Sequence, residues 1–297
     1  MRGALGTYAL VTPARDEAEN LRRLADSVFG QTHLPVRWII VDDASTDGTR
    51  ELALELATLT PWIRTVDSPG SQLRAGRLNQ GRRGGRDMIA FNTGWRALEC
   101  EYDFLVKLDA DVSFDPDFFE RLLSEFATDP ILGIASGTCY ELVKGEWRPY
   151  YVARSHVRGA TRTYRRACYE DVAPLEERIG WDGVDEARAH LRGWRTSSIA
   201  SLPFYHHRPL GARDGGARAW AAQGDLAWYL GYRPSYVLLR ALFRSLREPQ
   251  AVWMPIAYLQ AALGNAERAE GEVRAVTKNE QRLRRLPLRL REARGRA

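Results

Sequence analysis

Two carboxylates stand two residues apart, Asp109 and Asp111, directly after the apolar run Phe104 to Leu108. On an extended backbone such positions share a face, so the two side chains point the same way. Open α/β sheets bind ligands at the carboxyl ends of their strands. Two carboxylates placed there repel each other unless a cation lies between them. A hard divalent ion, Mg²⁺ or Mn²⁺, meets that need. Such an ion bridges a diphosphate and offsets charge on a departing nucleotide. A bare Asp-x-Asp is usually only an acidic turn, so its neighbours decide the reading.

Those neighbours are two earlier turns. Val41-Asp42-Asp43-Ala44-Ser45-Thr46-Asp47-Gly48-Thr49 follows a second apolar run, and Thr12-Pro13-Ala14-Arg15-Asp16-Glu17 follows a first. The elements that must position them read as a β/α alternation. Tyr8 to Val11 is a strand, and Asp16 with Glu19 forms a capping box for a helix ended by Gly30. Val36 to Val41 is a strand buried on both faces, Leu52, Leu56 and Leu59 mark a helix, and Trp62 to Val66 is a third strand. This order predicts parallel strands with right-handed crossovers. A helix over Met88 to Leu98 precedes the strand Phe104 to Leu108. Asp115-Pro116 opens another helix, with Pro at its first position. A strand follows Gly133, then a helix over Asp185 to Arg192 and a strand over Ser198 to Phe204.

Together the three turns resemble a GT-A fold glycosyltransferase of family 2, over about the first 210 residues. The resemblance implies an α/β fold with a mostly parallel sheet flanked by helices and a nucleotide-sugar donor. It places Thr12, Pro13, Arg15 and Glu17 along the nucleotide pocket. Asp43 accepts a hydrogen bond from the base, Asp42 supports the turn, and Asp109 and Asp111 hold the metal. Ala14 departs from the pattern, since many relatives carry an aromatic there, so the base stays open. Ala90-Phe91-Asn92-Thr93-Gly94 resembles a segment in which Asn92 touches ribose or phosphate; the other reading of Asn92 is a polar helix residue packed against a loop. Gly159 matches a glycine turn beside the donor sugar, leading toward Tyr164-Arg165-Arg166. Gly180-Trp181-Asp182-Gly183-Val184-Asp185 resembles the acidic motif of inverting members, usually Glu-Asp, with Trp181 in place of the Glu. It makes Asp182 the general base, with Asp185 the rival for that role or a helix cap, and Trp181 an apolar wall for a sugar. His206 or His207 completes the metal site, which favours Mn²⁺ over Mg²⁺.

Composition bounds the remainder. Three distant cysteines, Cys100, Cys139 and Cys168, give neither a disulfide framework nor a zinc spacing and fit a reducing, cytoplasmic setting. Neither a signal peptide nor a membrane-spanning run is expected. The net charge is +5, yet Arg208 to Ala297 holds 17 basic and 8 acidic residues, 17 − 8 = +9, and the preceding part is therefore −4. The sequence thus divides into a catalytic domain, 1–210, and a helical, basic region, 211–297. Within the latter, Tyr236 to Leu246 is an amphipathic helix with Arg240, Arg244 and Arg247 on one side, and Gln281 to Arg296 is a basic run. This region suits peripheral contact with an anionic inner leaflet. The acidic catalytic part argues against nucleic acid. Arg74, Arg77, Arg82, Arg83 and Arg86 are available for phosphate or plain solvation. The expected acceptor is a saccharide or a lipid-linked one in cell-surface polysaccharide or glycolipid synthesis. Two rivals stand: a sugar-phosphate nucleotidyltransferase, which needs a glycine-rich signature that Thr12 to Glu17 lacks, and a non-catalytic nucleotide-sugar-binding module.

Overall fold

The computed structural model describes residues 5–69, 85–143, 145–150, 156–208, 216–246 and 248–282, with 287 and 291. Arg74, Arg77, Arg82 and Arg83, and most of the basic run after Arg282, lie outside the described residues.

Four strands form the parallel half of the sheet that the sequence predicts. They are β1 (Tyr8–Ala14), β2 (Arg37–Asp42), β3 (Ile63–Asp67) and β4 (Phe104–Leu108). They lie in the order β3-β2-β1-β4, each pair parallel. Their side chains alternate between two cores. Tyr8, Leu10, Trp38, Ile40 and Val106 face one core, and Val11, Ile39, Val41 and Leu105 face the other. That two-residue period on strands covered on both sides explains their unbroken apolar runs. The first core is roofed by α1 (Ala18–Phe29), α2 (Thr49–Leu59) and α4 (Phe118–Thr128). The second is roofed by α3 (Arg86–Arg96), α5 (Arg166–Val172) and α6 (Trp181–Leu191). Each fully buried Leu, Val or Phe contributes about 1.5–3 kcal/mol relative to exposure.

Beyond β4 the sheet becomes mixed. β8 (Thr161–Arg165) runs antiparallel to both β4 and β6 (Leu132–Val143). β9 (Arg195–His206) runs parallel to β6 and antiparallel to the short β5 (Val112–Phe114), and β7 (Glu146–Pro149) hangs from β6. Asp109-Ala110-Asp111 therefore spans the step from the central β4 to β5 at the far edge.

The first turn is capped differently from the capping-box expectation. Asp16 takes a left-handed backbone, φ 52°, and accepts the Thr46 amide at 2.7 Å. The first-turn amide of Ala18 is instead satisfied by Asp47 at 3.1 Å, and the Glu17 amide by Thr49 Oγ1 at 2.7 Å. The turns after β1 and β2 thus cap each other. Burial pushes the Asp47 carboxyl up, but its bonds from Thr49 and Ala18 outweigh that and hold it below its usual range. α4 begins at Phe118, two residues past Pro116, and α6 begins at Trp181, four residues before Asp185.

Among the described residues four further α-helices follow: α7 (Gly216–Tyr229), α8 (Pro234–Ser245), α9 (Trp253–Leu263) and α10 (Gly271–Glu280). They are not a detached appendage. Val184 and Ala187 of α6 share one apolar cluster with Tyr229, Leu230, Ala269 and Val273.

Candidate active site

Because β2, β1 and β4 are adjacent and parallel, their carboxyl ends place three acidic turns side by side. Asp43 lies at the end of β2, buried, with Arg86 Nε 2.9 Å and Arg15 3.7 Å from its Oδ2. Its buried Oδ1 has no hydrogen-bond partner among the described residues, so an acceptor is available beside two cations. Asp42 accepts the Ser45 amide through both oxygens at 3.3 Å, the turn-supporting role expected of it. Pro13 sits in register with Val41. Thr12 is fully buried, and its hydroxyl accepts Trp38 Nε1 at 2.9 Å. The structure thus assigns the Thr12 side chain to the interior, while Arg15 stays beside Asp43.

Glu17 is also turned inward. Arg208, just past β9, grips both of its carboxylate oxygens, with Nη1 to Oε1 at 2.6 Å. The same guanidinium reaches to 3.6 Å from Asp111. Asp111 is 3% exposed, and His206 Nε2 lies 3.2 Å from its Oδ1. One ligand atom each from Asp109, Asp111 and His206 falls within 4.8 Å of the others. His206 Nδ1 has no hydrogen-bond partner among the described residues. Two carboxylates and an imidazole form a donor set that fits Mn²⁺ better than Mg²⁺.

A second grouping, Cys139, Glu141 and His206, meets the same distance test. Cys139 brings a soft sulfur donor, whereas Asp109, Asp111 and His206 offer the oxygen and nitrogen donors that suit a hard divalent ion. The two-aspartate set is therefore the better site for such an ion. His207 is not part of either. Its Nε2 sits 2.7 Å from Ser113 Oγ, and its ring packs edge-on against Trp147. Adjacent residues on a strand point to opposite faces, so only one of the pair could join the cluster.

Asp109 is partnered by Lys107, which lies buried between it and Asp87 and 5.4 Å from the centre of the Trp181 ring. A cleft of about 630 Å³ opens here. Lys107, Asp109, Gly159, Trp181, Asp182 and His206 all line it. Trp181 is 7% exposed, with Lys107 Nζ 5.4 Å and Arg162 Cζ 5.3 Å from its ring centre. Gly159 is explained by the same ring: a Cβ would meet Trp181 Cζ2 at 3.0 Å. Gly159 also lines the cleft, and its lack of a side chain leaves room for the Trp181 ring.

Asp182 sits in the first turn of α6, where the helix dipole favours a carboxylate. Gly180 allows the entry: its φ is +83°, and a Cβ would strike Leu226 at 2.1 Å. Asp185 is corrected. It is neither at the cleft nor a cap, but 1% exposed and bound to Arg162 and Tyr164. Burial pushes its carboxyl up to about 7 against the pull of Arg162. Asn92 is corrected too. Its side-chain amide donates to Leu175 O at 3.1 Å and Glu177 Oε1 at 3.2 Å, and it borders a different cavity.

The sequence reading did not find Lys107, Arg208, His156 or Glu186. Lys107 carried a signal, being one of three lysines in the chain and set inside an apolar strand. His156 Nδ1 bonds Glu186 at 3.1 Å and its Nε2 lies 3.8 Å from Asp182. Burial opposes the imidazolium, and Glu186 outweighs it, so His156 titrates above its usual value. No local sequence pattern announces that pairing across 30 residues.

The sequence profile described as Glycosyl transferase family 2 matches residues 9–173. The chain is 31% identical over 117 residues to the succinoglycan biosynthesis protein ExoA of Rhizobium meliloti, covering 39% of this chain and 31% of that protein. It is 27% identical over 122 residues to the poly-beta-1,6-N-acetyl-D-glucosamine synthase of Staphylococcus aureus, covering 41% and 26%. The matched stretch thus spans about a third or less of these relatives' own length. Among solved structures, the fold is similar to a mannosyltransferase from Pyrobaculum calidifontis in complex with GDP-Man and Mn²⁺. That match has TM-score 0.57 and 16% identity, and covers 88% of this chain and 87% of that one. It is also similar to S. aureus TarS 1-349 in complex with UDP-GlcNAc, with TM-score 0.54, 14% identity, and coverage of 74% and 65%. With more than half of its length matched by the profile, the chain belongs to glycosyl transferase family 2.

Proposed function

We propose that the protein is an inverting glycosyltransferase that moves a sugar from a nucleotide-diphosphate donor to an acceptor hydroxyl, with Mn²⁺ as its metal. The observation that carries this reading is the Asp109, Asp111 and His206 cluster, two of whose members, Asp109 and His206, line the same cleft as Asp182. Asp43 Oδ1 accepts from the base, with Arg15 and Arg86 beside it. Asp109, Asp111 and His206 would hold the ion, which would supply positive charge against a leaving diphosphate. Lys107 adds a buried positive charge on the same side.

Asp182 accepts the proton of the acceptor hydroxyl. That oxygen bonds the anomeric carbon as the carbon–oxygen bond to the diphosphate breaks, in one displacement with inversion. His156, held by Glu186, stands behind Asp182. Residues 1–210 supply donor and metal groups, and the helices of 211–297 close the acceptor side, where Gln223, Arg240 and Arg244 line the cleft. The acceptor is a saccharide or a lipid-linked one, and the basic 211–297 region keeps the protein on the inner face of a membrane. Among the described residues no helix is long and apolar enough to cross one.

The test is donor hydrolysis or transfer with Mn²⁺, for wild type and Asp182→Asn. Loss of a positioned base lowers kcat by about 10²–10⁴-fold with donor KM nearly unchanged. Equal rates would sink the assignment of Asp182.

A further inference from the structure

α8 carries three distinct faces. Val237 and Ala241 are buried against neighbouring helices. Tyr236, Arg240 and Arg244, four residues apart, line the cleft. Leu238, Leu239, Leu242, Phe243 and Leu246 point outward, between 43% and 80% exposed. The adjoining α9 repeats the outward pattern with Trp253, Leu259 and Leu263, the last 89% exposed, while Met254, Ala257 and Tyr258 on its other side are buried. Among the described residues, ten of the 21 exposed large hydrophobic side chains lie between Leu238 and Leu263. That concentration separates this surface from the scattered apolar exposure of ordinary proteins and marks an interaction face.

Its charge selects the partner. Between Pro234 and Leu263 the sequence has Arg240, Arg244 and Arg247 against one acid, Glu248, whose carboxylate accepts Trp220 Nε1 at 3.1 Å. The arginines flank the apolar face rather than lie in it, so a second copy would bury the leucines and leave these cations at the rim with almost no acids to match them. An anionic lipid leaflet satisfies both parts, taking apolar side chains below the headgroups and guanidinium groups among them. An indole such as that of Trp253 favours the same boundary. Both helices are too short to span a bilayer and must lie in its plane.

We infer that the outer face of α8 and α9 beds into an anionic lipid leaflet and holds the cleft mouth at the membrane surface. The contact is made by folded helices, not only by the basic run after Gln281. Arg240 and Arg244, one face round from the leucines, then stand at headgroup level at the cleft. The inference deepens the peripheral membrane association proposed above and rests on it.

The experiment is vesicle flotation of the full chain, comparing phosphatidylcholine vesicles with vesicles carrying about one-third phosphatidylglycerol. Wild type is expected to float with the anionic vesicles. Leu242→Glu/Leu246→Glu is expected to reduce the bound fraction about tenfold or more, because two exposed apolar anchors become anions facing an anionic surface. Its thermal melt by circular dichroism and its thermal shift with UDP or GDP plus Mn²⁺ should match wild type. The inference is overturned by a wild type that stays unbound, or by a double variant that floats as well. It is equally overturned by light scattering that shows a wild-type dimer and a monomeric variant, since a second copy would then cover the face. Flotation without any nucleotide shift would leave the lipid contact standing and remove the proposed function.

Discussion

Asp182 and Asp185 lie three residues apart on one helix and occupy opposite environments. Such spacing makes them neighbours on a helical surface, so a sequence reading has little to separate them. Burial separates them: Asp182 borders the cleft, whereas Asp185 is 1% exposed and clamped by a guanidinium that is itself fully buried. Removing Asp185 leaves Arg162 as a buried charge supported by Glu186 alone among carboxylates. Asp185→Ala is therefore expected to lose about 3–5 kcal/mol of stability. Chemical denaturation measures it, with Asp182→Ala close to wild type as the control. A stable Asp185→Ala variant that has lost transfer activity would return the base assignment to Asp185.

At the scale of elements, α3 carries a motif whose residues serve the fold. Asn92, legible either as a ligand contact or as a polar residue packed against a loop, donates to Leu175 O and Glu177, and Gly94 serves packing. A Cβ on Gly94 would meet Val11 Cγ1 at 2.5 Å and Val41 Cγ2 at 2.6 Å, so the glycine lets α3 lie directly on β1 and β2. Alanine in a helix gains about 0.5–1 kcal/mol over glycine. Overpacking against two fully buried valines costs about 1–3 kcal/mol, which wins. Gly94→Ala should lower the melting temperature, and a raised one would contradict this account of the packing. The same contrast governs what was legible elsewhere. β1, β2 and β4 are readable because both faces are covered and the apolar runs are unbroken. The start of α6 is obscured by Gly180 and Gly183, whose purpose is a turn against Leu226 and Leu230. The capping of α1 by Asp47 is a contact between distant turns, and no local signature at Asp16 carries it. Gly159 was singled out for a sugar and is held by Trp181.

For the whole molecule, the decisive fact is where the strand order brings chain ends together. Asp43, Asp109 and Asp111 were legible as acidic turns after buried strands. His206 joins them only because β9 pairs with β5 in a register that sets His206 against Val112, next to Asp111. That register also sends His207 away, a choice two adjacent histidines in a sequence leave open. The boundary drawn at residue 210 from charge and composition does not divide the packing, since α6 carries Asp182 and shares a core with the C-terminal helices. The acid cluster, the cleft and the helical wall thus stand in one frame. The most direct test of that frame is calorimetric titration of a panel of nucleoside diphosphates into wild type and Asp111→Ala, each with and without Mn²⁺. One nucleotide should bind wild type markedly more tightly with Mn²⁺, and Asp111→Ala should lose that gain. Binding that ignores Mn²⁺, or an Asp111→Ala variant that binds like wild type, would contradict a metal held by Asp109, Asp111 and His206.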